Sequence, residues 1–107
     1  MSSTMRQLGI KAGVVKRLVK EVASYKQEAE QTKATADKMA AEGQDEYEVK
    51  QARRIHADSL QMIPDSEKRL AKAIEELEEL VEGAEDEVTK TDEFAKAQAS
   101  LESAKSE

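Results

Sequence analysis

The chain has 107 residues and a formal net charge of -6, and 38% of its residues are hydrophobic while 37% are charged. This length suits one domain, and the low apolar content favours a thin helical bundle over a thick globule. The absence of cysteine excludes disulfides, thiolate nucleophiles and cysteine-based metal sites. No segment has the apolar run of a signal peptide or the ~20 apolar residues needed to cross a bilayer. We therefore expect a cytoplasmic protein.

The first predicted helix runs from about residue 11 to residue 41. Val14 and Val19 lie beside its main apolar stripe and widen it, as a three-helix core requires. The segment 42–45 follows as a predicted turn, with Gly43 in the left-handed conformation that ends many helices. The stripe itself alternates intervals of three and four residues, which is a heptad pattern, and consists of Val15, Leu18, Val22, Tyr25, Ala29, Thr32, Ala36 and Met39.

The second predicted helix covers about residues 46–82 and contains the only proline, Pro64. A proline inside a helix removes one backbone hydrogen bond and clashes with the preceding turn. The chain therefore either turns here, which gives four helices, or continues as one kinked helix. Because the apolar pattern keeps its phase from Ile63 to Leu70, we favour the kinked helix.

Gly83 ends the second helix, and a weaker apolar pattern predicts a third helix at about residues 89–104. Thr89 and Asp92 have the spacing of a capping box at its start. Two long helices and a shorter third one, joined by short turns, predict an all-α fold. We expect residues 1–107 to form a single domain, an elongated antiparallel three-helix bundle of up-down-up topology with frayed termini.

The side chains offer little for catalysis. His56 is the only histidine, so a histidine-based metal cluster or catalytic triad is excluded, and we expect a structural imidazole. Paired carboxylates need a water-poor cleft, so the acidic run at 75–87 is interpreted as a solvated helix face. No glycine-rich phosphate-binding loop is present. We therefore expect neither an enzyme nor a bound cofactor or metal.

Charge is distributed unevenly along the chain. The first twenty residues carry five basic side chains and no acidic one. Helical spacing places Lys16, Arg17 and Lys20 opposite the apolar Val15 and Leu18. This arrangement is either a solvated outer face or a contact for an acidic protein. Nucleic acid is disfavoured because the basic group is small and lacks aromatic residues, and a membrane is disfavoured because the apolar side is committed to the core.

Two motifs carry a family resemblance. The sequence GVVKRLVKE at Gly13–Glu21, preceded by Ile10-Lys11, resembles the N-terminal signature of the tubulin-folding cofactor A family, also called tubulin-binding cofactor A. The sequence MIPD at 62–65, followed by Arg69-Leu70, is similar to the mid-chain motif of that family. The resemblance extends over essentially the whole chain, although His56 departs from an aliphatic preference at its position.

The resemblance implies a three-helix rod whose second helix is kinked at the proline. It implies a non-enzymatic chaperone that binds β-tubulin after release from the cytosolic chaperonin. Such a chaperone passes β-tubulin, with other tubulin-folding cofactors, towards the α/β heterodimer. Monomers and homodimers both occur in the family, and a cytoskeleton-associated location is expected.

The basic segment and the elbow at the proline are the expected contacts. β-Tubulin is acidic, and opposite potentials steer association. A structural coiled-coil module that oligomerises through its apolar stripe is the alternative. The partner-binding residues that we predict are Lys11, Lys16, Arg17, Lys20, Asp65, Lys68 and Arg69.

Overall fold

A computed structural model describes residues 2–106, which form α-helices without any strand. The prediction of an all-α protein is thereby confirmed. Met1 and Glu107, which the predicted 1–107 domain included, lie outside the described residues. The helices are α1 at Ser3–Ala41, α2 at Glu46–Glu82, α3 at Asp86–Thr89 and α4 at Asp92–Lys105.

Helix α1 begins at Ser3, well before the start that the sequence pattern predicted near residue 11. The hydroxyl of Ser2 accepts a hydrogen bond from the backbone N–H of Met5 at 3.2 Å. This bond satisfies one of the donors left free at a helix start. Leu8 is fully buried, and burial of such a side chain contributes about 1.5–3 kcal/mol. That gain offsets the cost of about 1 kcal/mol for each of the two nearby glycines.

The predicted turn at 42–45 joins α1 to α2. Gly43 has a φ of 73°, in the left-handed region. Its N–H donates to the carbonyl of Ala40, and the N–H of Gln44 donates to the carbonyl of Met39, both at 3.1 Å. These two bonds form a Schellman motif and satisfy carbonyls at the end of α1. The absence of a side chain at Gly43 is what permits this ending.

Helix α2 passes through Pro64 without ending. The alternative in which the chain turns at this residue is therefore wrong. Proline has no backbone N–H, so the carbonyl of Leu60, four residues earlier, loses its usual intrahelical donor. Next to the proline, the hydroxyl of Ser66 donates a hydrogen bond to the carbonyl of Ile63 at 2.9 Å.

The predicted third helix at 89–104 corresponds to α4, which starts three residues later than predicted, and its predicted cap at Thr89 is wrong. The single-turn helix α3 ends at Thr89, and α4 starts only after Thr91. Thr91 accepts a hydrogen bond from the N–H of Phe94 and therefore caps α4. Its hydroxyl also donates to the carbonyl of Val88 at 2.6 Å. The sequence pattern selected Thr89 because Asp92 lies three residues after it, whereas the residue three after Thr91 is Phe94, which cannot complete a capping box.

The described chain divides into two compact units. The first unit contains the chain up to Lys20 and the chain from Lys68 onward. Helices α1, α2 and α4 all contribute to its core, in which Leu8, Val15 and Leu77 have no solvent exposure. The buried cluster comprises Leu8, Ala12, Val15, Leu18, Ala73, Leu77, Phe94, Ala97, Leu101 and Ala104.

The second unit consists of Glu21–Glu67, which contains the later part of α1 and the earlier part of α2. Its polar contacts include the hydroxyl of Thr32, which lies 3.2 Å from Nδ1 of the half-buried His56. This contact between helices supports the structural role predicted for the histidine. The buried side chains of the unit are small, namely Val22, Ala29, Ala36, Ala52, Ser59 and Ser66.

Candidate partner-binding surface

A group of three cations on α1, which we call the basic cluster, consists of Lys16, Arg17 and Lys20. All three are exposed, whereas the neighbouring Val15 and Leu18 are buried. A helix turns about 100° per residue, so its buried residues commit one side to the core and leave the cluster on the other. Burial of the apolar residues in this segment therefore determines that the basic cluster faces the solvent.

Lys11 belongs to the same basic segment but has a different environment. Its Nζ lies 3.1 Å from Oε2 of Glu76, and both side chains are partly buried. Lys105 likewise bonds Glu78. These pairs link α1 and α4 to the acidic side of α2. The acidic run is therefore not only a solvated face, because part of it neutralises cations within the first unit.

The predicted elbow residues lie on α2 just after Pro64. Asp65, Lys68 and Arg69 are all exposed. Asp65 is part of the second unit, whereas Lys68 and Arg69 are part of the first unit together with the basic cluster. Nearby, Leu60 and Met62 are 47% and 45% exposed, so this stretch of α2 also presents apolar surface.

An open groove lies between α1 and α4 within the first unit, with a volume of about 800 Å³. We call it the α1–α4 groove. Small and apolar side chains form most of its lining. From α1 it is lined by Gly9, Ala12, Gly13, Val15, Lys16, Val19 and Lys20, and from α4 by Glu93, Lys96, Ala99, Ser100, Ser103 and Ala104.

The charged residues of the groove are mostly cations. Lys16 and Lys20 of the basic cluster line it from α1, and Lys96 and Glu93 line it from α4. The structure thus brings two of the predicted contact residues together with a lysine that the sequence pattern had not selected. Arg17, Lys11, Lys68 and Arg69 do not line this groove.

The sequence itself contains a signal for the groove. Gly9 and Gly13 on α1 are four residues apart, as are Ala99 and Ser103 on α4. Residues at this spacing are neighbours on one helix face. Two such pairs of small residues predict a depression on the surface of each helix. Whether another helix of the chain covers the depression depends on tertiary packing.

Two further observations concern ions and membranes. Among residues 2–106, no group of three or more histidine, cysteine, aspartate or glutamate side chains is arranged to hold a metal ion. None of the helices in the described part of the chain combines the length and the apolar character needed to cross a membrane.

The fold and this surface define an all-α protein in which a cationic cluster borders an open groove. Comparison with known families then identifies the chain more closely. Residues 3–101 match the family described as Tubulin binding cofactor A, and the chain belongs to this family. The resemblance inferred from the two sequence motifs is thereby confirmed.

Individual relatives cover nearly the whole chain. The Tubulin-specific chaperone A of Gallus gallus is 43% identical over 103 residues, which are 96% of this chain and 94% of the relative. The protein of the same name from Homo sapiens is 40% identical over the same shares.

Solved structures agree with the fold. The crystal structure of tubulin folding cofactor A from Arabidopsis thaliana matches with a TM-score of 0.88 at 32% identity, and covers 98% of each chain. Human tubulin chaperone cofactor A matches with a TM-score of 0.82 at 38% identity, over 95% of this chain and 98% of that one.

Proposed function

We propose that this chain is a tubulin-folding chaperone. Its client is β-tubulin released from the cytosolic chaperonin, which it holds in a quasi-native state and passes, with other tubulin-folding cofactors, towards the α/β heterodimer. Family membership supports the tubulin-chaperone role. The cytoplasm and the cytoskeleton are the locations that follow from this role, and the chain acts as a monomer or a homodimer.

The observation that carries this proposal is the exposed basic cluster on α1. Lys16, Arg17 and Lys20 face outward in a chain of net charge -6. A local potential opposite to the net charge orients an acidic partner and increases its association rate. The cluster therefore supplies what recognition of an acidic client requires.

The remaining predicted contacts contribute differently. Lys68 and Arg69 belong to the same unit as the cluster and add exposed positive charge. Asp65 adds an acceptor on the exposed side of α2. Lys11 belongs to the same basic segment, and its ammonium group pairs with Glu76.

We further propose that the fold is an antiparallel up-down-up bundle of α1, α2 and α4, with α2 kinked at Pro64. The support for a kink is the lost hydrogen bond at the carbonyl of Leu60. The single turn α3 then acts as part of the connection to α4. Replacing Pro64 with alanine restores the missing donor, and comparison of the two forms by small-angle scattering measures the change in helix bending.

The experiment that tests the function is a pull-down with separately prepared α- and β-tubulin chains. We expect selective retention of β-tubulin. Charge reversal of the cluster (Lys16→Glu, Arg17→Glu and Lys20→Glu together) is expected to weaken retention about tenfold or more at low salt, with a smaller effect at high salt because ions screen exposed charges.

A matched control variant distinguishes the loss of specific contacts with β-tubulin from the effect of a changed net charge. Reversal of Lys38, Lys50 and Lys90, which are also exposed, changes the charge equally and is expected to preserve most of the binding. Equal loss in both triple variants would mean that only net charge matters. Retention of neither tubulin chain, together with a tight oligomer, would support the structural coiled-coil alternative instead.

A further inference from the structure

We infer that the α1–α4 groove receives an acidic amphipathic helix of the client. This inference rests on the proposed function and specifies how the same surface is used. It makes α4, which contributed no predicted contact residue, half of the binding site.

The floor of the groove permits close approach. Apart from the backbone of the adjoining helical turns and the flanking residues, no heavy atom lies within 4 Å of the position that a Cβ would take at Gly9 or at Gly13. Ala99 and Ser103 provide the facing small side chains on α4. Small residues on both walls allow a docked helix to approach the backbone closely, which is the shape used when an amphipathic helix binds in a groove.

The dimensions of the groove also fit a helix. Its lining extends over residues 9–20 of α1 and over residues 93–104 of α4. At 1.5 Å per residue, each wall is about 16 Å long, or three helical turns. A three-turn helical segment matches this length, and the open groove of about 800 Å³ has room for the side chains on one face of such a segment.

The positive charge of the groove favours an occupant with negative charge. Lys16, Lys20 and Lys96 line it against the single acid Glu93, in a chain that is acidic overall. Because Val19 and the small residues provide an apolar floor, the fitting helix has an apolar face flanked by aspartates or glutamates.

Filling the groove tests this inference without altering charge. Ala99 is exposed and lines the groove, whereas Ala71 on α2 is also exposed but does not line it. Both are in the first unit. We expect Ala99→Leu to weaken β-tubulin binding at least tenfold and Ala71→Leu to change it less than twofold, with equal helix content by circular dichroism. Equal affinities of the two variants would overturn the inference.

Charge on α4 provides a second test that separates the groove from the cluster. Lys96→Glu is expected to weaken binding several-fold, and the exposed Lys72→Glu on α2 serves as the control. If reversal of the α1 cluster abolishes binding while Ala99→Leu and Lys96→Glu leave it unchanged, the proposed function stands and the groove inference fails. If the unmodified chain captures no β-tubulin, both fail.

Photocrosslinking identifies the segment of the client that occupies the α1–α4 groove. A benzoylphenylalanine at Ser103 of the full chain, mixed with β-tubulin, is expected to crosslink to an acidic segment with helical apolar periodicity, identified by mass spectrometry. The same group at Ala71 provides the background. Crosslinks to a basic or extended segment, or only to a second copy of this chain, would contradict the inference.

Discussion

The two compact units of this chain achieve burial in different ways. In the first unit, segments of three helices enclose large side chains, and Leu8 and Leu77 have no solvent exposure. In the second unit, segments of two helices bury mainly alanine and serine around Val22. Three helices can surround a leucine on all sides, whereas two leave an open side, so only side chains close to the helix axes are fully covered.

The second unit also contains exposed ion pairs between its two helices. Arg53 lies 2.6 Å from Asp37 and Lys26 lies 3.4 Å from Glu67. Exposed ion pairs of this kind contribute little to stability. The second unit is therefore expected to open more readily, since local stability follows buried apolar contact.

The largest expected effect comes from emptying the centre of the first unit. Leu77→Ala removes a fully buried side chain and is expected to reduce the free energy of unfolding by about 2–5 kcal/mol. Urea unfolding followed by circular dichroism measures this loss. A loss below about 1 kcal/mol would mean that the three-helix core is loosely packed, and would remove the contrast between the units.

A matched pair on one helix compares the units directly. Val15 and Val22 are one heptad apart on α1, the former at 0% exposure in the first unit and the latter at 7% in the second. Val15→Ala is expected to cost about 2 kcal/mol from two lost methyl groups and their cavity, and Val22→Ala clearly less. The same unfolding experiment applies, and a greater loss at Val22 would reverse the comparison.

The smallest effect concerns the pH dependence of the second unit. The hydrogen bond from Arg53 holds the pKa of Asp37 below its ordinary value, with a further contribution from Lys33 and despite opposing desolvation. A carboxyl whose pKa is lowered by folding stabilises the protein above its unfolded pKa, and this contribution is lost as the pH falls through the folded value. Asp37→Asn is therefore expected to destabilise the chain slightly near pH 7.

The measurement is unfolding of wild type and Asp37→Asn at pH 7 and below pH 3. The difference between the two proteins should shrink at acidic pH, where the carboxylate of the wild type becomes protonated. A difference that stays constant with pH would show that the side chain acts through packing or neutral hydrogen bonds. Because the site is exposed, the effect is expected to be small.

The heptad pattern predicted much of the buried side of α1. Leu18, Val22, Ala29 and Ala36 are all buried, because period alone decides which residues share one face of a helix. The pattern did not predict the burial of Leu8, because Gly9 and Gly13 lie between this residue and the rest of the apolar stripe. There the burial of one large side chain outweighed local helix propensity.

The candidate site was less predictable than the fold. The outward position of Lys16, Arg17 and Lys20 follows from helical period. The pairing of Lys11 with Glu76 does not, because these residues are far apart in sequence and meet only through packing. Lys96 was missed for the same reason, since its place in the groove depends on the packing of α4 beside α1.

The sequence by itself determined the helical class, the buried stripe of α1, the turn at Gly43 and the family. These features depend on the spacing of apolar residues along the chain and on the conformational preferences of single residues. Both can be recognised from residues that are close in sequence. Tertiary structure alone decided which cations are neutralised internally and which surround the groove. Those outcomes depend on residues distant in sequence, because charge and shape at a surface are set by whatever packs beside it.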